Sequence, residues 1–240
     1  MKKPLMLVFV VLFSLSFFQC EENKTQEYHY RYTLPDWAQL NYYAKANTAI
    51  LPPIQNENRI VFMGNSITQS WKTIHPEFFE GKPYINRAIG GQTTSQMLVR
   101  FRQDVIDLKP KVVAIMAGTN DIAENTGPTT IKRVADNLKS MCEIAHANNV
   151  KVILCSVLPA EDHPWQPGKD PKTKIPALND ILFTYAQTNN FYYLDYFSAL
   201  NNGQNGMDEI HSDDGVHLTI EGYKVLEPMI ENAIEEVLSQ

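Results

Sequence analysis

Five short apolar runs, separated by segments with helical periodicity, constrain this chain more than any other feature of its 240 residues. The runs are rich in Val, Ile and Leu and do not alternate with polar residues, which is typical of strands covered on both faces. They span residues 59–64, 84–91, 111–118, 150–159 and 191–196. The alternation with helices predicts an α/β fold: a three-layer α/β/α sandwich around a doubly wound, mostly parallel five-stranded sheet.

Helical segments are predicted between and around these runs. The clearest, 129–148, repeats apolar residues at a spacing of three and four and begins with a Thr cap. Others are predicted over about 93–108, 173–189 and 219–238. Residues 36–50 place Trp37, Leu40 and Ala44 at helical spacing after a possible cap at Asp36, so a helix is expected there too.

The N-terminus has the layout of an export signal. Two lysines precede an apolar run from Pro4 to Phe18, and the run closes at Cys20. A cysteine at that place resembles the lipobox of bacterial lipoproteins, although Phe17 and Gln19 depart from its usual residues. We expect residues 1–20 to be a signal peptide of lipoprotein type, 21–35 a polar tether and 36–240 a single domain. The expected location is periplasmic or cell-surface, lipid-anchored at Cys20; plain cleavage or an uncleaved anchor are the alternatives.

The net charge and the cysteines indicate which partners and which bonds to expect. The net charge of −6, without a long basic stretch, argues against nucleic acid. Cys142 and Cys155 are expected to be buried free thiols, with a disulfide between them as the alternative. There is no metal-ligand spacing, so no metal or cofactor is expected. The oligomeric state is left open.

Small and polar residues follow three of the predicted strands. They are Gly64–Thr68, Gly90–Thr94 and Gly118–Asp121. An open α/β sheet binds ligands at the carboxyl ends of its strands, so these segments are expected to share one edge. The chemistry of the protein is therefore predicted to lie at that edge.

These segments and the region before the last helix supply candidates for acyl transfer. Ser66 could be a nucleophile or only a helix cap. Asp214 and His217 have a spacing that lets the carboxylate orient the imidazole, or they are an acidic helix entrance. Oxyanion donors would be the backbone N–H groups of Ser66 and Gly91 and the side chain of Asn120; the alternatives are a tight turn and another cap.

The ordered set GNSIT, NRAIGGQTT, GTND and DGVHLT resembles the SGNH hydrolase superfamily, also called GDSL esterases and lipases. The resemblance implies a flavodoxin-like sheet, Ser66 as nucleophile, His217 as base and Asp214 as its partner. It also implies an oxyanion hole of Ser66, Gly91 and Asn120. Asn65 stands where the family usually has Asp. The GNSIT form of the first block looks like that of the carbohydrate-esterase branch of the superfamily.

Substrate residues are harder to predict. Trp71, Arg87, Gln92 and Trp165 could line the cleft; for Trp71 a packing role is favoured, and Trp165 could stack on a sugar. The prediction is a serine esterase that removes short acyl groups, chiefly O-acetyl, from extracellular carbohydrate. The rivals are a lysophospholipase or thioesterase of the same family and a non-catalytic glycan-binding lipoprotein. A flavodoxin-like cofactor binder is disfavoured, because GNSITQS has a single glycine.

Overall fold

The computed structural model describes residues 36–240. The predicted signal segment 1–20, with Cys20, and the predicted tether 21–35 lie outside the described residues. Within the part of the chain that is described, no helix is long and apolar enough to cross a membrane.

Five parallel strands form the central sheet. They are β1 (Ile60–Gly64), β2 (Tyr84–Asn86), β3 (Val112–Met116), β4 (Lys151–Cys155) and β5 (Tyr192–Leu194). Their order in the sheet is β2-β1-β3-β4-β5, and every pairing is parallel. The predicted doubly wound α/β fold is confirmed, and the sheet is wholly rather than mostly parallel.

Eight α-helices connect or flank the strands in the described residues. They are α1 (Ala44–Thr48), α2 (Ser66–Ile74), α3 (Thr94–Asp104), α4 (Thr119–Ile122), α5 (Ile131–Ala147), α6 (Pro171–Asn189), α7 (Tyr196–Leu200) and α8 (Ile220–Ser239). Two short 3₁₀ turns lie at Pro76–Phe78 and Ile106–Leu108.

The sheet is buried on both faces, as its composition predicts. All five residues of β1 and all five of β3 are buried. Burial of β-branched and other apolar side chains against the helices is the main favourable term for such a layer. Several observed strands end before the apolar runs do, because the chain leaves the sheet there and forms the loops of the site.

The helix predicted over residues 36–50 is wrong over most of that range. Only Ala44–Thr48 is helical, and the residues before it form turns. Gln39 has a φ of +55°, a left-handed conformation that interrupts a right-handed helix. The helical spacing of Trp37, Leu40 and Ala44 therefore reflects separate turns rather than one apolar face.

The order of the strands indicates where a ligand would bind. β1 has β2 on one side and β3 on the other, so successive connections run to opposite sides of the sheet at this point. Ligands of open α/β sheets bind in the crevice at the carboxyl ends of the strands where the order reverses. The segments after β1, β2 and β3 are therefore the ones that border such a crevice.

Candidate active site

Ser66 is the first residue of α2, directly after β1 and a single turn residue, Asn65. The Asn65 side chain accepts a hydrogen bond of 3.1 Å from the Ile67 N–H and caps the helix. The cap role considered for Ser66 thus belongs to its neighbour. The Ser66 side chain is left free to take part in other contacts, and it is half-buried.

A chain of hydrogen bonds joins Ser66 to two residues near the C-terminus. The Ser66 Oγ lies 2.9 Å from the His217 Nε2. On the other side of the ring, the His217 Nδ1 lies 2.7 Å from the Asp214 Oδ2. This order of hydroxyl, imidazole and carboxylate is the geometry that removes a proton from a serine during acyl transfer.

The Asp214 carboxylate is held in place by backbone groups as well. Its Oδ1 accepts hydrogen bonds from the N–H groups of Val216 and His217, at 2.9 and 2.7 Å. Partial burial pushes the pKa of Asp214 upward, but the hydrogen bonds from the His217 ring and from these N–H groups outweigh it. The pKa of Asp214 is lowered overall, so the carboxyl is ionised beside the imidazole at neutral pH.

Two backbone N–H groups at the site have no acceptor among the hydrogen bonds of residues 36–240. They belong to Ser66, at the first turn of α2, and to Gly91, after β2. Gly91 has a φ of +74°, a conformation that favours glycine. Free N–H groups near a nucleophile can bind the oxygen of a substrate carbonyl.

Asn120 lies in α4 and is buried. Its Nδ2 donates a hydrogen bond of 2.9 Å to the backbone oxygen of Gln92. An amide nitrogen has two hydrogens, so one remains for a ligand. The bond to Gln92 brings the segment after β3 against the segment after β2, as the shared sheet edge predicts.

Asp121, next to Asn120, supports the same contact from inside the protein. Its carboxylate accepts hydrogen bonds from the N–H and hydroxyl of Thr94, at 2.9 and 2.6 Å. Burial raises the pKa of Asp121 to about 6, although the Thr94 hydrogen bonds act in the opposite direction. This contact joins α4 to the start of α3 beneath the site.

Three predicted substrate residues do not line the cleft. Trp71 is 2% exposed, and its ring stacks on Phe78 at 4.7 Å, so its packing role is the correct interpretation. Gln92 is equally buried; its Oε1 accepts a 2.6 Å hydrogen bond from Arg100. Arg87 is buried over the ring of Tyr43. Side chains enclosed in this way cannot touch a substrate in the open cleft.

Trp165 is placed at the site by the long loop before α6. Its ring is 39% exposed and its centroid lies 6.0 Å from that of His217. Its Nε1 donates a 2.9 Å hydrogen bond to Asn125, a residue that sequence reasoning missed. An exposed polar side chain in a loop of mixed composition gives no periodic or motif signal that could have identified it.

The two cysteines of the domain are both buried and free. The prediction of free thiols is correct and the alternative disulfide is not formed. Burial raises the pKa of the Cys142 thiol to about 12 and that of Cys155 above its usual range as well. Neither thiol is a nucleophile at neutral pH.

Comparison with known proteins agrees with this geometry. Residues 62–225 match the model of the GDSL-like Lipase/Acylhydrolase family. The chain is also similar to a crystal structure of a proposed acylhydrolase from Bacteroides fragilis. The two are 48% identical with a TM-score of 0.82, over 85% of this chain and 99% of the other.

The chain is also similar in sequence to two proteins of other organisms. Platelet-activating factor acetylhydrolase IB subunit alpha2 of Rattus norvegicus is 26% identical over 191 residues, 77% of this chain and 80% of the relative. The uncharacterized lipoprotein YqeF of Bacillus subtilis is 40% identical over 78 residues. That second match covers about a third of each protein, 31% of this chain and 32% of YqeF.

Proposed function

Since the chain belongs to the GDSL-like Lipase/Acylhydrolase family and is an ester hydrolase, we propose that it removes short acyl groups, chiefly O-acetyl, from extracellular carbohydrate. In this proposal Ser66 is the nucleophile, His217 the general base and Asp214 the group that orients it. The observation that carries the proposal is the hydrogen-bond chain from Ser66 through His217 to Asp214.

The reaction would proceed in two halves. As the Ser66 Oγ bonds to the acyl carbon, its proton passes to the His217 Nε2 and the carbonyl electron pair moves onto oxygen. Collapse of that oxyanion breaks the bond to the sugar oxygen, which takes the proton from His217. Water then attacks the acyl-enzyme and passes a proton to His217. When this second tetrahedral intermediate collapses, the bond to the Ser66 Oγ breaks, His217 returns the proton to that oxygen, and acetate is released.

The oxyanion would be bound by the N–H groups of Ser66 and Gly91 and by the Asn120 amide. The free N–H groups and the second amide hydrogen of Asn120 support this assignment. Charge develops on that oxygen only in the transition state, so these donors act on the rate rather than on ground-state binding. Loss of one such donor typically costs about 3 kcal/mol of transition-state stabilisation.

Trp165 supports a carbohydrate substrate. Its indole lies beside His217 and borders the side of the site where a leaving group takes its proton. An exposed aromatic face there is suited to packing on a sugar ring. The choice of acetyl over longer acyl groups is supported by the acetylhydrolase relative.

The acetylhydrolase relative favours a second candidate. An acetyl ester on platelet-activating factor would use the same acyl subsite with a different acceptor. A lysophospholipase or thioesterase would instead need room for a long chain. Rates with a series of p-nitrophenyl esters from acetate to decanoate separate the short-chain candidates from the long-chain ones. Comparing the rate on acetylated xylo-oligosaccharide with that on an acetylated glycerophospholipid then separates the two short-chain candidates, the carbohydrate esterase and the acetylhydrolase.

The central test compares Ser66→Ala with Ser70→Ala in p-nitrophenyl acetate hydrolysis. Ser70 lies in the same helix α2 and has no place in the proposed site, so it is a matched control. We expect activity in the parent and in Ser70→Ala and none in Ser66→Ala. Equal activity in all three proteins would refute Ser66 as nucleophile. An inactive but folded parent would favour the non-catalytic glycan-binding alternative.

For location, we propose an exported protein anchored by lipid at Cys20. The support is the order of lysines, apolar run and cysteine at residues 2–20, together with the short match to a bacterial lipoprotein. Residues 21–35 would then act as the tether and residues 36–240 as a single catalytic domain.

A further inference from the structure

The Gly90–Gly91 dipeptide is held by a side-chain amide at each end. Gln69 bonds to the N–H of Gly90, and Asn125 bonds to the carbonyl of Gly91. We propose that Gln69 and Asn125 are positioning residues that fix the Gly91 N–H for the transition state. This inference rests on the proposed function, in which that N–H is an oxyanion donor. We call the two residues the amide clamp.

The peptide needs such a device because of its own residues. Two successive glycines have the widest backbone freedom of any dipeptide. Gly91 also has open space where a Cβ would lie, so no packing holds it there. Its position after β2 leaves it outside the ladder of the sheet. Its neighbouring hydrogen bonds therefore have the largest share in fixing the direction of its N–H.

Gln69 links this peptide to the nucleophile's own helix. Its Oε1 accepts a 2.9 Å hydrogen bond from the Gly90 N–H, and its Nε2 donates one of 2.7 Å to the Tyr42 hydroxyl. Gln69 stands three residues after Ser66, on the same side of α2. A rigid helix thus sets the distance between the Ser66 hydroxyl and the glycine peptide.

Asn125 links the peptide to the third proposed donor. Its Nδ2 donates a 3.0 Å hydrogen bond to the Gly91 carbonyl. Its backbone N–H donates one of equal length to the carbonyl of Asn120. Its Oδ1 accepts the hydrogen bond from Trp165, which fixes the orientation of the amide. Asn125 therefore connects Gly91, Asn120 and the aromatic side chain beside His217.

The polarity of the two amides is opposite, and this gives the inference a specific test. Gln69 must accept and Asn125 must donate. Gln69→Glu keeps an acceptor, whereas Asn125→Asp loses the donor and places a carboxylate against a carbonyl oxygen. Both variants add the same charge, so a difference between them reports the direction of the hydrogen bond.

The experiment uses the full-length protein in detergent and measures kcat and KM with p-nitrophenyl acetate. It also measures the rate of covalent inactivation by a p-nitrophenyl alkylphosphonate, which forms a tetrahedral anion at the serine. We expect Gln69→Ala and Asn125→Ala to lower kcat and the inactivation rate by about 10-fold each, with KM changed little. Gln69→Glu should retain more activity than Gln69→Ala, and Asn125→Asp should be at least as impaired as Asn125→Ala.

Asn148→Ala is the matched control. Its side chain is exposed and bonds only to its own helix, at the Ile144 carbonyl, on the opposite edge of the sheet just before β4. Melting temperatures of all variants show whether a loss arises from unfolding instead. A purely structural role would lower the melting temperature and leave kcat per folded molecule unchanged.

The outcomes separate this inference from the proposed function. If Ser66→Ala is inactive while both clamp alanine variants keep kcat and the inactivation rate within about twofold of the parent, the clamp is refuted and the esterase stands. If Ser66→Ala keeps the activity of the parent, or if the parent is inactive, the proposed function fails and the clamp fails with it. Equal losses in Gln69→Glu and Asn125→Asp would also contradict the clamp.

Discussion

At the scale of single residues, two adjacent carboxylates compete for one role. Asp213 and Asp214 both precede His217; the spacing favours Asp214, but the sequence does not show whether Asp213 partly substitutes for it. In the folded protein it is Asp214 that contacts the His217 ring, at 2.7 Å, and accepts two backbone N–H groups. The local turn, and not the residue type, decides which carboxylate contacts the His217 ring.

The prediction is that Asp214→Asn lowers kcat for p-nitrophenyl acetate by roughly 10³-fold or more, because the amide favours the wrong tautomer of His217 and no longer stabilises its charged form. Asp213→Asn, which removes the same charge one residue away, should keep kcat near that of the parent. The measurement is steady-state kinetics at pH 8. Similar losses in the two variants would mean that Asp213 shares the role.

Two buried titratable groups near the site have opposite effects on stability. The pKa of Asp121 is raised to about 6, so between pH 4 and 6 the folded chain holds a proton that the unfolded chain releases. Burial lowers the pKa of His163 to about 4, so over nearly the same range the unfolded chain holds a proton that the folded one does not. As pH rises, the contribution of Asp121 to the free energy of unfolding falls and that of His163 rises.

Asp121→Asn should therefore make the melting temperature rise more steeply between pH 4 and 6.5 than it does in the parent. As pH rises, the raised pKa of Asp121 lowers the free energy of unfolding by on the order of 2 to 3 kcal/mol, against the rise that comes from His163. The substitution removes the part due to Asp121, so the rise from His163 is no longer offset. Lost hydrogen bonds to Thr94 add an offset at every pH, so the slope is the readout. Parallel curves for the two proteins would show that Asp121 titrates normally.

Single residues also mark the limit of sequence reasoning at the site. Ser66, Asp214, His217, Gly91 and Asn120 were named because each belongs to a block of fixed spacing, and the structure brings all five to one edge. For Trp71 the packing role favoured from the sequence agrees with its burial. Gln92 was named as a possible cleft residue, but its side chain is buried, and no local pattern in a sequence reports that direction. Gln69 and Asn125 carry no such pattern either.

At the scale of elements, the turn from β1 to α2 is the most constrained connection in the protein. A Cβ at Gly64 would overlap the Thr68 side chain of α2 and lie 2.9 Å from the Met116 carbonyl of β3. The helix that carries Ser66 can approach the sheet this closely only because residue 64 has no side chain. The position of the serine relative to β3 depends on that approach.

Gly64→Ala is predicted to lower the free energy of unfolding by about 3 kcal/mol, at the upper end for overpacking, because both neighbours must move. Gly81→Ala is the matched glycine substitution. Gly81 has a φ of +70° but open space around it, so only backbone strain of about 1 kcal/mol is expected. Urea denaturation measures both values. A smaller loss for Gly64→Ala than for Gly81→Ala would contradict the packing argument.

Elements were predicted well where burial sets the pattern. The strands and the long helix 131–147 are covered by the core on a fixed face or on both faces, and their apolar spacing records it. α1 has no buried residue, so burial imposes no apolar spacing on its sequence, and its predicted bounds were wrong. The four-residue helix α4 is too short for periodicity to show, although the motif it contains was identified.

At the scale of the whole molecule, the C-terminal helix α8 assembles the site from distant parts of the chain. The Tyr223 hydroxyl of α8 donates a 2.6 Å hydrogen bond to the Ile67 carbonyl of α2. The Trp71 Nε1 of α2 donates one of 3.1 Å to Glu227 of α8. These contacts fix α2, which begins at Ser66, against the helix that follows His217. Ser66 and His217 are 151 residues apart in sequence, so their 2.9 Å contact requires the complete fold.

The last prediction concerns where this molecule works. If Cys20 is the lipidated residue of a lipoprotein, Cys20→Ser should move the protein from the membrane fraction to the soluble periplasmic or secreted fraction, because a serine cannot carry the thioether-linked lipid. Two acyl chains or more are needed for stable anchoring, so the loss should be nearly complete. Metabolic labelling with a fatty acid, followed by cell fractionation and p-nitrophenyl acetate assay of each fraction, measures label, location and activity together.

Cys142→Ser controls for loss of a thiol as such, since that cysteine is buried in the described domain. A Cys20→Ser protein that stays in the membrane fraction would point to an uncleaved apolar anchor, and an unlabelled parent in the soluble fraction would point to plain cleavage. Under either result the esterase activity should be unchanged, because the hydrogen bonds that join Ser66, His217 and Asp214 lie among the described residues and the substitution is at residue 20.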